Sequence, residues 1–244
     1  HSDFRNYFVT IKTFLQRAYD QLIHDAALQK LKVILAIDRA GVVGEDGRTH
    51  QGVFDVAFLH TVPNIHVYAP TYYDELSDNL SDCIEGEDRL YAVRYPRGKE
   101  LFRPAGYKLS GRPFGVYGST ESQVAVVTYG RLFSFAYEAM QTLAESGVKC
   151  KIVKLNRIIP LDPEVVRLLL NCKTVFFFEE GVHAGGVAEC LGSALVEAGF
   201  SGRYVMRCIE DGFIRHAPMF RILEHLGLDK AGMLRTIREN LKQK

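Results

Sequence analysis

Hydrophobic positions along the chain follow two alternating patterns, one with the period of strands and one with the period of helices. The first clear apolar run, LKVILAID, is too short for a buried helix and too continuous for a half-exposed strand. Such runs are typical of central parallel strands that are covered on both faces. The predicted strands are LKVILAID, IHVYAP, RLYAVRYP, QVAVVTYG, CKIVKLNRI, TVFFFEE and YVMRCIE.

Helical spacing fills the segments between these runs. The first helix is predicted from Thr13 to about Gln29, with Thr13 and Gln16 spaced as a capping box. The other predicted helices cover residues 54–59, 71–84, 133–146, 162–170 and 187–198, followed by two helices at the end of the chain. Strands that alternate with helices of this length indicate βαβ units. The sequence therefore predicts an α/β fold of two three-layer domains with mostly parallel sheets.

A boundary is predicted between two series of elements. Residues 98–122 are rich in glycine, contain Pro104 and Pro113, and show no sustained periodicity. Such composition is typical of a linker on the surface. The predicted organisation is a first domain over residues 1–97, a linker over residues 98–122 and a second domain over residues 123–244.

Composition and charge exclude several classes of protein. Hydrophobic residues make up 47% and charged residues 24%, and 30 Lys and Arg against 29 Asp and Glu leave a net charge of +1. Without a block of like charge, we expect no binding to nucleic acid or to a membrane. No apolar run approaches the ~20 residues of a membrane span, and the start of the chain does not have the form of a signal peptide. The five cysteines are widely spread without a CxxC pair, which argues against a disulfide framework or a zinc site and favours the cytoplasm.

The segment after LKVILAID is unusually dense in polar chemistry. This polar loop, residues 38–52, reads DRAGVVGEDGRTHQG. In parallel sheets, ligands bind beyond the carboxyl ends of strands, where the loop and Arg94 are both expected. Arg39 and Arg94, with Arg17 from the first turns of a helix, could converge on a phosphate. Alternatively, the arginines pair with the loop's own acids, Asp38, Glu45 and Asp46, as a solvated network.

His50 and Asp46 are the candidate catalytic residues of the polar loop. A histidine titrates near neutral pH, so His50 could act as a general acid or base or hydrogen-bond a substrate hydroxyl. Asp46 could orient either His50 or the substrate.

Several stretches of the chain resemble consecutive blocks of one enzyme family. They are FLQRAYDQLIHDAALQ, DRAGVVGEDGRTHQGVFD, VPNIHVYAP and YAVRYPRG. These blocks resemble the 1-deoxy-D-xylulose-5-phosphate synthases, which are transketolase-like transferases. The resemblance implies a pyrimidine-binding domain that is represented in part, followed by a transketolase C-terminal domain. FEEGVHAGG and IEDGFIRHAP resemble blocks of the latter, with changes from the family's usual forms.

The resemblance also implies a reaction and residue roles. The family condenses pyruvate with glyceraldehyde 3-phosphate on thiamine diphosphate, with loss of carbon dioxide, for isoprenoid and thiamine synthesis. By resemblance, Phe14 packs against the aminopyrimidine ring of the cofactor. Arg39 and Arg94 hold the substrate phosphate, with Arg17 nearby, and Asp46 and His50 act on the substrate.

Other family features have no counterpart in this sequence. We find no match to the GDG…N signature that carries Mg²⁺ and the diphosphate, or to the segment with the activating glutamate. Ile11 and Lys12 stand where the family has a tyrosine and a serine, and Lys12 could partly replace that tyrosine in the phosphate contact. The expectation is a C-terminal fragment that is inactive alone.

Three hypotheses about the whole remain open. The chain is part of a working synthase, or a non-catalytic remnant that serves in assembly, or the beta chain of a two-subunit keto-acid dehydrogenase. The THQGVFD block argues against the third. The expected partner is a second copy in a homodimer or the remaining N-terminal portion. The first domain is expected to be the less stable of the two, with an open sheet edge that must be covered. Three candidates could cover it: a partner copy, the missing segment retained as a nicked peptide, or the leader FRNYFVTIK, whose alternation could let it pair as a strand.

Overall fold

A computed structural model describes residues 6–44, 46–108, 111–210 and 213–242, with the backbone alone described for residues 6–13. In chain order the strands and helices are β1 (Asn6–Ile11), α1 (Lys12–Leu15), α2 (Tyr19–Gln21), β2 (Val33–Asp38), α3 (Asp55–Leu59), β3 (His66–Tyr68), α4 (Tyr73–Glu85), β4 (Leu90–Arg94), β5 (Phe114–Gly118), β6 (Val124–Tyr129), α5 (Leu132–Glu145), β7 (Lys151–Leu155), β8 (Arg157–Ile159), α6 (Pro163–Leu169), β9 (Thr174–Val182), α7 (Val187–Glu197), β10 (Arg203–Ile209), α8 (Met219–Leu226) and α9 (Lys230–Lys242). Short 3-10 segments lie at Gln16–Ala18 and Arg48–His50, and a π-helical turn at Leu22–Ala27.

Two five-stranded sheets organise these elements. The first has the order β1-β2-β4-β3-β8, and the second has the order β10-β9-β6-β7-β5. The strands pair in parallel except at β3–β8 and β5–β7, which are antiparallel. The predicted α/β fold with two mostly parallel sheets is confirmed. The first domain is built on the first sheet, and the second domain is built on the second sheet.

Residues Asn6–Ile11 of the leader form an edge strand, which is one of the three alternatives for covering this edge. β1 runs parallel to β2, with Asn6 opposite Val33 and Ile11 opposite Asp38. The predicted capping box differs from the structure, because the helix already begins at Lys12 and Thr13 therefore lies inside its first turn. The helical run that follows is irregular and changes between α, 3-10 and π geometry before it ends at Ala27.

Two strands depart from the predicted domain ranges. The run CKIVKLNRI forms not one strand but two, because the chain leaves the second sheet after Leu155 and its last part joins the first sheet as β8. The break falls at Asn156, whose side-chain amide exchanges hydrogen bonds of 2.9 and 3.0 Å with that of Asn79 on α4. The range 98–122, for which a linker was predicted, contains β5, which pairs with β7 along the edge of the second sheet.

The hydrophobic core is continuous across the two domains. One cluster of buried residues includes members of both sheets, among them Leu35, Val67, Val127 and Phe177. A buried ion pair also crosses the interface, where Lys154 Nζ lies 2.5 Å from Glu75 Oε1 and the two side chains are 3% and 1% exposed. Burial of apolar area contributes ~25 cal/mol per Å², so this shared core stabilises the docking of the domains. Among the described residues, no helix has both the length and the apolar character that crossing a membrane requires.

Candidate active site

The polar loop is closed at its base by a pair of glycines. Gly41 and Gly52 exchange two backbone hydrogen bonds, each of 2.7 Å, in an isolated antiparallel bridge. A Cβ atom at Gly52 would lie 2.0 Å from the carbonyl oxygen of Arg39, so the two arms of the loop approach each other more closely than any other residue type allows. The loop therefore leaves β2 and returns to the same point at the carboxyl edge of the first sheet.

Gln51 braces the interior of the polar loop. Its side chain is 3% exposed, and its amide forms hydrogen bonds with both backbone groups of Val43 at 2.8 Å and with the carbonyl oxygen of Gly47 at 3.0 Å. These bonds satisfy backbone groups that a loop otherwise leaves to water. They fix the segment that carries Asp46.

Asp46 lies between two arginines. Its carboxylate accepts a hydrogen bond of 2.9 Å from Arg39 Nε and one of 2.7 Å from Arg97 Nη1. Arg39 also donates to Asp38, and its backbone has a φ of 61°, a left-handed conformation that is uncommon for a residue other than glycine. Although partial burial acts in the opposite direction, the hydrogen bonds from Arg39 and Arg97 lower the pKa of Asp46. The carboxylate is therefore ionised at neutral pH and holds both guanidinium groups at the mouth of the loop.

His50 and Phe14 lie side by side at the exit of the polar loop. Their rings meet edge to face with 6.0 Å between centroids, and α1 packs against the Arg48–His50 turn. His50 Nδ1 lies 2.9 Å from the hydroxyl of Thr49, and the imidazole is half-buried. Phe14 remains 48% exposed, which is unusual for a phenylalanine and leaves a ring face open to a ligand.

Arg94 lies elsewhere, which corrects the expectation that it joins a phosphate site with Arg39 and Arg17. Its guanidinium is 4% exposed and grips the buried carboxylate of Asp55 through Nε at 3.0 Å and Nη2 at 3.2 Å. It also lies over the ring of Tyr129 in the second domain at 5.4 Å. Burial opposes the charge, but the nearby Asp55 carboxylate raises the pKa of Arg94 on balance. Arg94 is thus an ion-pair partner in the interior, and its donors face Asp55 rather than solvent.

The other predicted site residues bear on two hypotheses for the polar loop, a shared phosphate site and an internal network of ion pairs. Arg17 is exposed on the Gln16–Ala18 segment, and the structure records no contact that brings it to Arg39. Arg39 does pair with Asp38 and Asp46, as the alternative of an internal network predicted. Glu45 and the side chain of Lys12, which were named with these residues, lie outside the described part of the structure.

Arg97 is the residue that sequence reasoning missed. It follows Arg94 by three positions in RYPRG, beyond the end of β4, and it reaches Asp46 across the mouth of the loop. The signal that could have identified it is the proline before it, because Pro96 ends the strand and places the next side chain in the loop region.

The residues present fit one part of the implied cofactor and not another. The exposed ring of Phe14 beside His50 fits an aromatic heterocycle such as the aminopyrimidine ring of thiamine diphosphate. A bound Mg²⁺ with a diphosphate needs several oxygen ligands. In the described ranges, no group of three or more His, Cys, Asp or Glu side chains is arranged to hold a metal ion. We therefore assign no metal-dependent step to these residues.

Comparison with protein families divides the chain into two regions. Residues 1–100 match the pyrimidine binding domain of transketolase, and residues 116–233 match the transketolase C-terminal domain.

Curated relatives are 1-deoxy-D-xylulose-5-phosphate synthases. The enzyme of Caldanaerobacter subterraneus is 38% identical over 98% of this chain and 39% of its own length. Those of Dehalococcoides mccartyi and Geobacillus thermodenitrificans are 36% and 37% identical, over 94% and 95% of this chain and 36% and 38% of their own lengths. The chain thus spans well under half the length of the curated relatives it matches.

Solved structures share the fold. A split-gene transketolase, described as an inactive beta4 tetramer, has a TM-score of 0.81 and 22% identity over 98% of this chain and 77% of its own. The transketolase of Campylobacter jejuni has a TM-score of 0.76 and 19% identity over 96% of this chain and 35% of its own. The chain matches two adjoining transketolase domains and is 36–38% identical to these synthases over part of their length. It therefore belongs to the transketolase-like family and is related to 1-deoxy-D-xylulose-5-phosphate synthases.

Proposed function

We propose that this chain provides the aldehyde-binding side of a synthase that condenses pyruvate with glyceraldehyde 3-phosphate to 1-deoxy-D-xylulose 5-phosphate. The observation that carries the proposal is the placement of Asp46 between Arg39 and Arg97 at the carboxyl edge of a parallel sheet. The identity to curated synthases of that name supports the choice of substrates.

Arg39 and Arg97 bind the phosphate of the aldehyde in this proposal. Both carry the planar guanidinium that matches a phosphate with paired hydrogen bonds. Asp46 holds them before the substrate arrives, so part of the entropy cost of forming the site is already met. Once the phosphate attracts the arginines, Asp46 is free to accept a hydrogen bond from a substrate hydroxyl. Arg94 has no direct role, because Asp55 occupies its donors.

His50 handles the proton of the reaction. As the aldehyde carbon is attacked, negative charge develops on the aldehyde oxygen, and a positioned imidazole can donate a proton to it. The hydroxyl of Thr49 at 2.9 Å from Nδ1 helps to orient the ring. When bound, thiamine diphosphate supplies the carbon nucleophile that derives from pyruvate with loss of carbon dioxide. Phe14 would hold the pyrimidine part of that cofactor through ring contact.

The remaining parts of the enzyme are proposed to come from outside the described residues. The signature that carries Mg²⁺ and the diphosphate in the family has no match in this sequence, and the described residues contain no group of three or more His, Cys, Asp or Glu side chains that could hold a metal ion. The proposed assembly is a homodimer or a complex with an N-terminal portion, either in the same polypeptide or in another. Light scattering of the purified chain, alone and with the N-terminal portion of a curated relative, tests this assembly.

Binding of glyceraldehyde 3-phosphate, measured by calorimetry, tests the site itself. Wild type is expected to bind the ligand with an affinity that falls as salt rises, because the interaction is between charges near the surface. Arg97→Ala and Arg39→Ala should each weaken the binding, while Arg89→Ala, which removes a cation at the other end of β4, serves as the matched control. If wild type and Arg97→Ala bind equally, the site is wrong and a non-catalytic role in assembly becomes the better hypothesis.

A further inference from the structure

The inner side of the polar loop is held by a buried ion pair from the second domain. The backbone N–H of Val42 donates to Glu180 Oε1 at 2.5 Å, and the carbonyl oxygen of Val42 accepts from Arg131 Nη2 at 2.5 Å. Arg131 Nε donates to Glu180 Oε2 at 2.9 Å, so the two side chains and the backbone N–H and C=O of Val42 form a closed ring of hydrogen bonds. The side chains of Arg131 and Glu180 are 6% and 7% exposed. We call these two residues the clamp pair.

The polar loop is shaped to receive the clamp pair. Gly41 has a φ of 79°, and a Cβ atom there would lie 2.4 Å from Glu180 Cδ, so a glycine is needed for the carboxylate to reach the backbone. A second close approach follows at Gly44, where a Cβ atom would lie 2.2 Å from the carbonyl oxygen of Ala217. Beyond the loop, Val182 N–H donates to Val53 at 3.0 Å. The second domain therefore contacts the segment at three successive points.

A buried ion pair contributes little net stability to the contact between two domains. Removing two charges from water is costly, and apolar residues of similar size often stabilise a fold as well or better. The clamp pair also forms hydrogen bonds with the backbone N–H and C=O of Val42, four positions before Asp46. A role in fixing the backbone geometry at Val42 accounts for this arrangement better than a role in stability does.

We propose that Arg131 and Glu180 are positioning residues for the phosphate-binding arginines. They hold the backbone N–H and C=O of Val42, and the loop that continues from Val42 then carries Asp46 into the place where it aligns Arg39 and Arg97. The second domain thereby sets the affinity of a site whose proposed phosphate-binding arginines come from the first domain. This inference rests on the proposed function, because phosphate binding is what the positioning serves.

A double substitution separates positioning from stability. Arg131→Met with Glu180→Leu removes both charges together, so no lone buried charge remains, but the backbone N–H and C=O of Val42 each lose a partner. The matched control is Lys154→Met with Glu75→Leu, which removes the other buried ion pair between the domains and does not touch the polar loop. Inorganic phosphate is titrated by calorimetry, and amide exchange at Val42 is followed by NMR.

The expected result is selective. The clamp-pair variant should bind phosphate about tenfold more weakly and exchange its Val42 amide faster, because small displacements of positioned groups are costly. The control should bind phosphate as wild type does, whatever its stability. If wild type binds phosphate and the clamp-pair variant binds it equally well, the inference is overturned and the proposed function stands. A wild type that does not bind phosphate overturns both.

A second comparison decides the question if the double variant does not fold. Glu180→Gln keeps a carbonyl oxygen that can accept the N–H of Val42, whereas Glu180→Ala removes it. The inference requires Glu180→Gln to bind phosphate more tightly than Glu180→Ala does. Equal affinities in these two variants would contradict it.

Discussion

Arg97 donates a hydrogen bond of 2.7 Å to Asp46, a residue 51 positions earlier in the chain, across the mouth of the polar loop. Arg94, only three positions before Arg97, is instead turned into the interior and paired with Asp55. Two arginines of one short segment therefore differ in their surroundings: Arg94 is buried in an ion pair, and Arg97 lies at the mouth of the polar loop, where we propose that it binds phosphate.

This difference predicts opposite effects of two similar substitutions. Arg97→Ala should weaken phosphate binding by about tenfold to a hundredfold, the value of a hydrogen bond to a charged group, and leave stability nearly unchanged. Arg94→Ala should lower the free energy of unfolding by about 3–5 kcal/mol, because it removes the guanidinium that pairs with the buried Asp55 carboxylate. Calorimetric titration and urea denaturation of both variants measure the two effects. A large loss of stability in Arg97→Ala, or a stable Arg94→Ala that no longer binds phosphate, would reverse these roles.

The glycine bridge at the base of the polar loop gives a second prediction. Gly52→Ala places a Cβ atom against the carbonyl oxygen of Arg39, so the bridge to Gly41 must open and phosphate binding should be lost. Overpacking of this kind costs about 1–3 kcal/mol in stability. Gly199→Ala is the control: its φ of 80° also strains an alanine, but nothing lies near its Cβ and it is far from the loop in sequence. NMR amide exchange at Gly41 should rise in the first variant and stay constant in the second.

A third prediction concerns stability at mildly acidic pH. Burial, followed by the charges of Arg89 and Arg157, lowers the pKa of His66 from 6.5 to about 4. The unfolded chain therefore binds a proton at this residue near pH 6.5, whereas the folded chain does so only near pH 4. Between these values unfolding takes up a proton, so the contribution of His66 is a loss of stability as the pH falls from 6.5 to about 4.

Substitution of His66 isolates this contribution. His66→Gln removes the titrating group but keeps an oxygen that can accept the hydrogen bond from Arg89, which lies 2.8 Å from Nε2. Urea denaturation across the same pH range should show a smaller loss of stability for His66→Gln than for wild type. Parallel curves for the two proteins would mean that His66 keeps its ordinary pKa in the folded chain.

The fourth prediction concerns turnover. The purified chain should release no carbon dioxide from pyruvate and glyceraldehyde 3-phosphate, even with added thiamine diphosphate and Mg²⁺. Loss of one essential group commonly costs several orders of magnitude in rate, and the described residues offer no cluster for the metal. Addition of the N-terminal portion of a curated synthase should restore release. Carbon dioxide formed by the chain alone, at verified mass, would contradict this prediction.

The sequence was sufficient to predict the fold class because the local hydrophobic pattern of the strands agrees with the sheets that they form. β2, β4, β6 and β9 each contain at least four consecutive apolar residues, and such runs have few alternatives in a chain of this composition. The prediction was incomplete where a distant partner decides the outcome. Nothing near Asn156 indicates that the strand divides there, since its amide partner Asn79 lies on α4.

The candidate site shows the same limit. The polar loop was identified from its own residues, and the places of Asp46 and His50 within it follow from the sequence. Arg94 and Arg97 could not be distinguished in this way, because the partner that buries the first, Asp55, is 39 positions away. β5 was missed for a different reason, since FGVYG contains two glycines and too short an apolar pattern to suggest a strand.

β8 couples the two domains structurally. It belongs by sequence to the second domain, yet it completes the first sheet by pairing Ile159 with Val67 and Arg157 with Tyr68. A chimera that joins this first domain to the second domain of another family member would import a foreign edge strand along with it. Recombination within residues 98–122 is therefore not a clean exchange of modules, and viable exchanges should be those in which the incoming strand fits the surface of β3.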